Sequence, residues 1–273
     1  MKVVLSIKCF AIISFFSLVS AGCNARRVDQ QVQKHAINSG QGASDIGQGA
    51  VFSQAEINPW RQSHVDSCSA SSNLPSEQIE FADATNYGNR DVHDFQGRII
   101  SSRPRFVVIH ETVIGERDTL ALFKTKHPYD ADQASYHLLV ARDGRLIRIV
   151  PDGNRAYGAG MSQFLSSTLR AKRNSAGSLN NIALHISLVS PSGFEDDDSH
   201  IGYTEAQYRS LAAQVLKWQM MYGIPMSRVT THYAVDRSHS RYDPRSFYWD
   251  KFDKIHGQLT VLCGNLQLAQ PTQ

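Results

Sequence analysis

The stretch Thr231-His232-Tyr233-Ala234-Val235-Asp236-Arg237-Ser238-His239-Ser240-Arg241-Tyr242-Asp243-Pro244 joins a histidine to an aspartate through a short polar loop. His232 and Asp243 are of the right types to be two ligands of one metal ion, with the permanent cation Arg241 just before the aspartate. A candidate partner stands far upstream in Phe106-Val107-Val108-Ile109-His110-Glu111-Thr112, where an apolar run stops at His110. Neutral imidazole and carboxylate suit zinc, and three protein ligands leave a fourth position for the water that hydrolysis needs. His110 and His232 are too far apart in sequence for any local spacing rule to bring them together. Read singly, each is equally a structural histidine.

Secondary-structure elements must carry these residues to one place. Phe106 to Ile109 is β-branched and apolar on both faces, which predicts a central strand ending at His110. Asp118 to Lys126, with Leu120, Leu122 and Phe123, predicts a short helix capped by Asp118. Ser135 to Ala141 reads as a strand, Arg142-Asp143-Gly144 as a hairpin turn and Arg145 to Val150 as the return strand. Ile182 to Val189 is another buried strand. Thr204-Glu205-Ala206-Gln207 is a capping box opening a helix through Trp218 and Met221, with Leu211, Val215 and Trp218 on its core face. Gly223-Ile224-Pro225 stops that helix, and Arg228 to His232 is a final strand. Strands alternating with helices predict an α/β domain with a mixed central sheet flanked by helices.

The chain of 273 residues is long enough for one sizeable core, and 41% hydrophobic with 19% charged residues excludes a disordered chain. A net charge of +3 gives no basic footprint, so no nucleic-acid partner is expected. Lys2 and Lys8 precede the apolar run Cys9 to Val19, which is short for a membrane span and reads as a signal segment over 1–22. Ser20-Ala21-Gly22-Cys23 resembles a bacterial lipobox, with Ser20 where leucine is usual. It implies a lipid on Cys23 and, because Asn24 is not aspartate, an outer-membrane lipoprotein facing the periplasm. Ordinary cleavage near Ala21, giving a soluble periplasmic or secreted protein, is the alternative.

Residues 23–56 read as a flexible linker, with Gly40-Gln41-Gly42 and Gly47-Gln48-Gly49. Residues 57–97 form a flanking segment whose aromatics (Trp60, Phe81, Tyr87, Phe95) are expected to pack on the domain. The domain itself is placed at 98–258 and a tail at 259–273. An oxidising periplasm allows a Cys68–Cys263 disulfide, with two free buried thiols as the alternative. A monomer is expected. Glu195-Asp196-Asp197-Asp198 marks an exposed loop without calcium-ligand spacing.

From Arg98 to about Trp249 the sequence resembles zinc-dependent N-acetylmuramoyl-L-alanine amidases of the type-2 class, which share a fold with T7 lysozyme and peptidoglycan recognition proteins. The matching pieces are Val108-Ile109-His110-Glu111-Thr112, Ser135 to Val140 with Asp143-Gly144, Tyr157-Gly158-Ala159-Gly160, and His232 with Arg241-Tyr242-Asp243-Pro244. Each piece alone is unspecific, and their order and gaps carry the resemblance. It implies zinc-dependent hydrolysis, by metal-activated water, of the amide between N-acetylmuramic acid and L-alanine in peptidoglycan or its fragments.

Carried over by position, His110, His232 and Asp243 fall on the zinc ligands. Tyr136 falls on a catalytic tyrosine that orients the water or binds the oxyanion, the alternative being a half-buried strand tyrosine. His137, on the opposite face of the same strand, is read as structural. Two positions depart from the pattern. His185 in Ile182-Ala183-Leu184-His185 stands where many relatives carry a general-base glutamate. Neutral imidazole can accept a proton, and zinc and Arg241 nearby would lower its pKa. Arg241 stands where a lysine is common, and its guanidinium can stabilise an oxyanion without moving protons. These departures keep open a non-catalytic peptidoglycan-binding module of the same fold. Zinc hydrolysis of another amide is a third reading, and the lack of a His-Glu-x-x-His helix argues against the commonest metalloprotease design.

Overall fold

The computed structural model describes residues 59–268 except residue 174. The expected signal segment at 1–22, Cys23 and the linker at 23–56 lie outside the described residues.

A six-stranded mixed sheet forms the centre. In chain order the strands of the protein are β1 (Glu77–Ile79), β2 (Tyr87–Asn89), β3 (Phe106–Glu111), β4 (Leu138–Val140), β5 (Leu146–Arg148), β6 (Asn154–Ala156), β7 (Ala183–Leu188) and β8 (Val229–Thr231). The central sheet has the order β1-β5-β4-β7-β3-β8, and β2 pairs separately with β6. Every residue of β3 and β7 is buried, as the unbroken apolar runs predict for strands covered on both faces. They run parallel, with Val108 opposite His185 and His110 opposite Ser187. Side chains alternate along each strand, so Val108, His110, His185 and Ser187 share one face. The other face carries Val107, Ile109, Leu184, Ile186 and Leu188, which join one cluster with Leu211, Val215 and Trp218.

That cluster is closed by the helix Glu205–Tyr222, whose Thr204–Gln207 capping box is present as predicted. The last helix, Trp249–Leu268, packs against it and passes through the expected boundary at 258, so residues 259–268 are helix rather than tail. The helix Pro59–Ser71, the first among the described residues, lies against both, and the expected Cys68–Cys263 disulfide joins it to Trp249–Leu268 with Cα atoms 5.1 Å apart. Among the described residues, no helix is long and apolar enough to cross a membrane.

Several expectations shift in detail. Of the aromatics expected to pack in residues 57–97, Phe81 is exposed instead, and the segment adds β1 as an edge strand of the main sheet, parallel to β5. The helix expected at 118–126 spans Glu116–Lys124 with Gly115 at its N-cap, so Asp118 lies in the first turn and is not the cap. Its far end is held instead by buried Asn86, whose Nδ2 donates to the carbonyls of Phe123 at 2.7 Å and Thr125 at 2.8 Å. Ser135 to His137 precede strand β4 rather than belonging to it, and Gly144 at φ +90° turns the chain into β5.

Candidate metal centre

His110 is fully buried near the end of β3. Strand β8 pairs parallel with β3, placing Thr231 opposite Ile109, so the next residue, His232, is level with His110. His232 is not the last residue of that strand, as expected, but the first of a one-turn helix, His232–Val235. Thr231 caps this turn through its hydroxyl, which accepts from the Ala234 N–H at 3.3 Å.

Asp243 returns to the same point through a loop organised by Asp236. That carboxylate accepts from the N–H groups of Ser238 and Ser240 at 2.8 Å and of Arg241 at 2.9 Å. The Tyr233 N–H then donates to the Asp243 carbonyl at 2.9 Å, closing the loop on itself.

The three side chains converge. His110 Nδ1 lies 3.2 Å from Asp243 Oδ2, and His232 Nδ1 lies 2.8 Å from Asp243 Oδ1. One ligand atom from each residue lies within 4.8 Å of the others, and all three residues are buried. Zinc bonds of about 2.0–2.2 Å in a tetrahedron put neighbouring donor atoms roughly 3.3 Å apart. The two measured sides of the triangle, 3.2 and 2.8 Å, lie near that spacing. Its charge state also fits. Burial lowers the His110 imidazole to about 4, more than its bond to Asp243 raises it. Burial would raise Asp243, but bonds from His110 and His232 outweigh it and hold the carboxylate well below its usual range. Metal binding requires neutral imidazole and ionised carboxylate, the forms these shifts favour.

Around the triangle, the Tyr136 ring lies 4.5 Å from the His110 ring at a 30° tilt. Tyr136 is half-buried, and burial followed by the Asp243 charge pushes its phenol up, so it stays a protonated donor at neutral pH. Gly158 permits this packing, because a Cβ there would meet Tyr136 and His185 at 3.0 Å. Arg241 is exposed beside the site, and its charge acts on both His110 and Tyr136.

His185 does not stand as expected for a proton acceptor. It is fully buried, and its Nδ1 lies 3.0 Å from His110 Nε2, the ring nitrogen that does not face Asp243. Its Nε2 is buried without a hydrogen-bond partner among the described residues. Burial lowers its pKa first, then His110, His137 and His232. The arginine acting on it is Arg90, not the expected Arg241. His137 stacks on His185 and is not part of the ligand triangle.

Sequence reasoning missed a second buried cluster beside the site. Glu111 follows His110, and its carboxylate accepts from Arg245 Nε, the Arg245 N–H at 3.1 Å and the Tyr203 hydroxyl at 2.6 Å, with His200 Nε2 at 3.0 Å. Arg245 follows Asp243 by two residues, so this pair ties the strand bearing His110 to the loop bearing Asp243. The nearest signal was an acid directly after the strand-end histidine, which alone names no partner.

A profile of one family, N-acetylmuramoyl-L-alanine amidase (Amidase_2), matches residues 101–246 and takes in all three residues of the triangle. The chain belongs to this amidase family. Its mixed sheet flanked by helices is the type-2 amidase fold, as the sequence resemblance implied, and peptidoglycan amidase activity is the activity of the family. Among similar solved structures is a selenomethionine derivative of AmpD, 24% identical with a TM-score of 0.48, the match covering 67% of this chain and 98% of that one. AmpDh3 from Pseudomonas aeruginosa, in complex with anhydromuramic pentapeptide, is 20% identical with a TM-score of 0.45, covering 63% and 62%. AmiD from E. coli, in complex with anhydro-N-acetylmuramic acid-L-Ala-D-gamma-Glu-L-Lys, is 22% identical with a TM-score of 0.45, covering 56% and 57%. The chain thus spans less than two thirds of the length of these last two amidases. No curated protein matches the chain in sequence.

Proposed function

We propose that the chain is a zinc-dependent N-acetylmuramoyl-L-alanine amidase that hydrolyses the amide between N-acetylmuramic acid and L-alanine in peptidoglycan or its fragments. The triangle of His110 Nδ1, His232 Nδ1 and the Asp243 carboxylate, lying inside the family match, carries this reading. When bound, zinc supplies a polarising charge for the amide oxygen and a water activated for attack.

The chain's own residues do the rest. His110, His232 and Asp243 hold the ion. The protonated Tyr136 phenol donates a hydrogen bond to the amide oxygen as charge develops there. Arg241 adds a fixed positive charge at the mouth and moves no proton. His185 orients His110. With Nδ1 of His110 given to a metal, its proton sits on Nε2 and is donated to His185 Nδ1, 3.0 Å away. Neutral His185 then carries its own proton on Nε2 and has no lone pair left for a base.

This loss of an obvious base favours one second reading, a peptidoglycan-binding module without turnover. Incubation with anhydromuropeptides separates the two. Release of stem peptide, abolished by a chelator and restored by zinc, supports the amidase. Retention on sacculi with no released peptide supports the binding module.

The proposed location is the periplasmic face of the outer membrane, with a monomeric chain held by a lipid on Cys23. It is supported by the lipobox-like sequence and by the substrate. Mass spectrometry of membrane-extracted protein should find a diacylglyceryl group on Cys23. A free N-terminus near residue 22 would instead indicate simple cleavage.

A further inference from the structure

We infer that Arg90 is a positioning residue for the metal centre, acting through His137 and His185 on the ligand His110. This rests on the reading of His110 as a metal ligand. Arg90 lies upstream of residue 101, outside the segment that defines the family.

Its guanidinium is buried, with the residue only 9% exposed, and its hydrogen bonds go to carbonyl oxygens. Nε and one terminal nitrogen donate to the Asp152 carbonyl at 3.2 and 3.0 Å. The other terminal nitrogen donates to the Asn181 carbonyl at 2.7 Å, and the first also reaches the Ala183 carbonyl at 3.1 Å. Removing a charged guanidinium from water is costly, so a merely local clamp would be better served by a neutral side chain. Burial lowers its pKa to about 10, which still leaves it charged at neutral pH.

The fork joins two pieces of backbone that frame the site. One is the turn between β5 and β6, at Asp152. The other is the entry of β7, the strand that carries His185. Asn181 repeats the link, with its Oδ1 accepting from the Asp91 N–H at 2.6 Å and its Nδ2 donating to the Asp91 carbonyl at 3.0 Å.

From the backbone that the guanidinium clamps, contacts run to the ligand. One terminal nitrogen lies 3.2 Å from His137 Nε2, but both are donors, so Arg90 reaches this ring through the Asp152–Asn154 turn it clamps and not by a hydrogen bond to it. His137 Nδ1 accepts the His185 backbone N–H at 2.9 Å, so its proton is on Nε2, 3.1 Å from the Asn154 carbonyl. The His137 ring, fixed in that tautomer, stacks on His185 with centroids 5.7 Å apart and planes 11° from parallel. His185 Nδ1 then meets His110 Nε2 at 3.0 Å. All three rings are fully buried.

The test uses the full chain with Arg90→Met, Arg90→Lys, His185→Ala and the Arg90→Lys/His185→Ala pair. Zinc affinity is measured by chelator competition, and the cobalt-substituted proteins by their visible absorption. kcat and KM on an anhydromuropeptide, and Tm, complete the set. Arg90→Met should weaken zinc binding by about 10-fold or more and shift the cobalt spectrum. It should also lower kcat with KM within about two-fold. Arg90→Lys should lie between Arg90→Met and the wild type. It should add no further loss of zinc affinity in the His185→Ala background, because the effect passes through His185. Variants with lowered Tm but wild-type zinc affinity and cobalt spectrum would overturn the inference, as would losses that add fully in the pair. If Arg90→Met does not fold, the Arg90→Lys comparisons decide. A wild-type chain that binds no zinc would refute the proposed function instead.

Discussion

His185 Nδ1 faces His110 Nε2 at 3.0 Å, while the opposite nitrogen of His110 faces Asp243 at 3.2 Å. The residue at the position expected for a proton acceptor therefore stands behind the proposed metal ligand His110. His185→Ala should accordingly weaken zinc binding by about 10–100-fold, as loss of an outer-shell partner does. Chelator competition measures this. A lowered kcat with unchanged zinc affinity would show a base after all.

Glu111 and Arg245 make a stability prediction. Both side chains are essentially buried, at 0% and 4% exposure. Glu111→Ala leaves the guanidinium buried without its carboxylate, at a cost of about 3–5 kcal/mol. At about 2–4 °C per kcal/mol for a domain of this size, Tm should fall by roughly 10 °C. Replacing both residues by methionine should recover part of that loss. Equal destabilisation by the single and double variants would mean that the pair itself matters little.

Much of this site was legible from residue types and order. The strand end at His110, the capping box at Thr204 and the loop to Asp243 each have local signals, and each is where those signals put it. What was not legible depends on long-range side-chain partners. The Glu111–Arg245 pair and the Arg90 fork join residues far apart in sequence, and no periodicity encodes such contacts. His185 was found by position, but its role turned on which ring nitrogen faced which neighbour. The last helix ran on to Leu268 because Leu259 and Cys263 still pack inward there, a continuation hidden in a sequence read as a tail.

Acid sensitivity of the metal-free protein follows from its buried histidines. His110 lies at about 4 rather than 6.5, and burial holds His137 and His185 well below their ordinary value. The folded chain keeps these rings neutral while the unfolded chain protonates them once the pH drops below 6.5. Their contribution is thus complete above that pH and is lost as the pH falls toward 4, by up to about 1.4 kcal/mol per pH unit for each ring. Thermal melts in excess chelator should show Tm falling steadily from pH 6.5 to 4.5. A flat profile would contradict the depressed values.

The Cys68–Cys263 bridge closes a loop with a sequence separation of 195 residues. Replacing both cysteines by serine should cost about 2–5 kcal/mol. The loss should appear as a lower Tm, with zinc affinity unchanged because the bridge lies in a separate cluster from the metal site. Peptide mapping without reduction should find the crosslinked pair, and two free thiols would refute it.

The most direct test of the metal-dependent amidase is a digest of an anhydromuropeptide followed by mass spectrometry. The wild-type chain should release the stem peptide, lose that activity in chelator and regain it with about one equivalent of zinc, while Asp243→Asn stays inactive throughout. Stem-peptide release that survives complete zinc removal, or that persists undiminished in Asp243→Asn, would contradict the account.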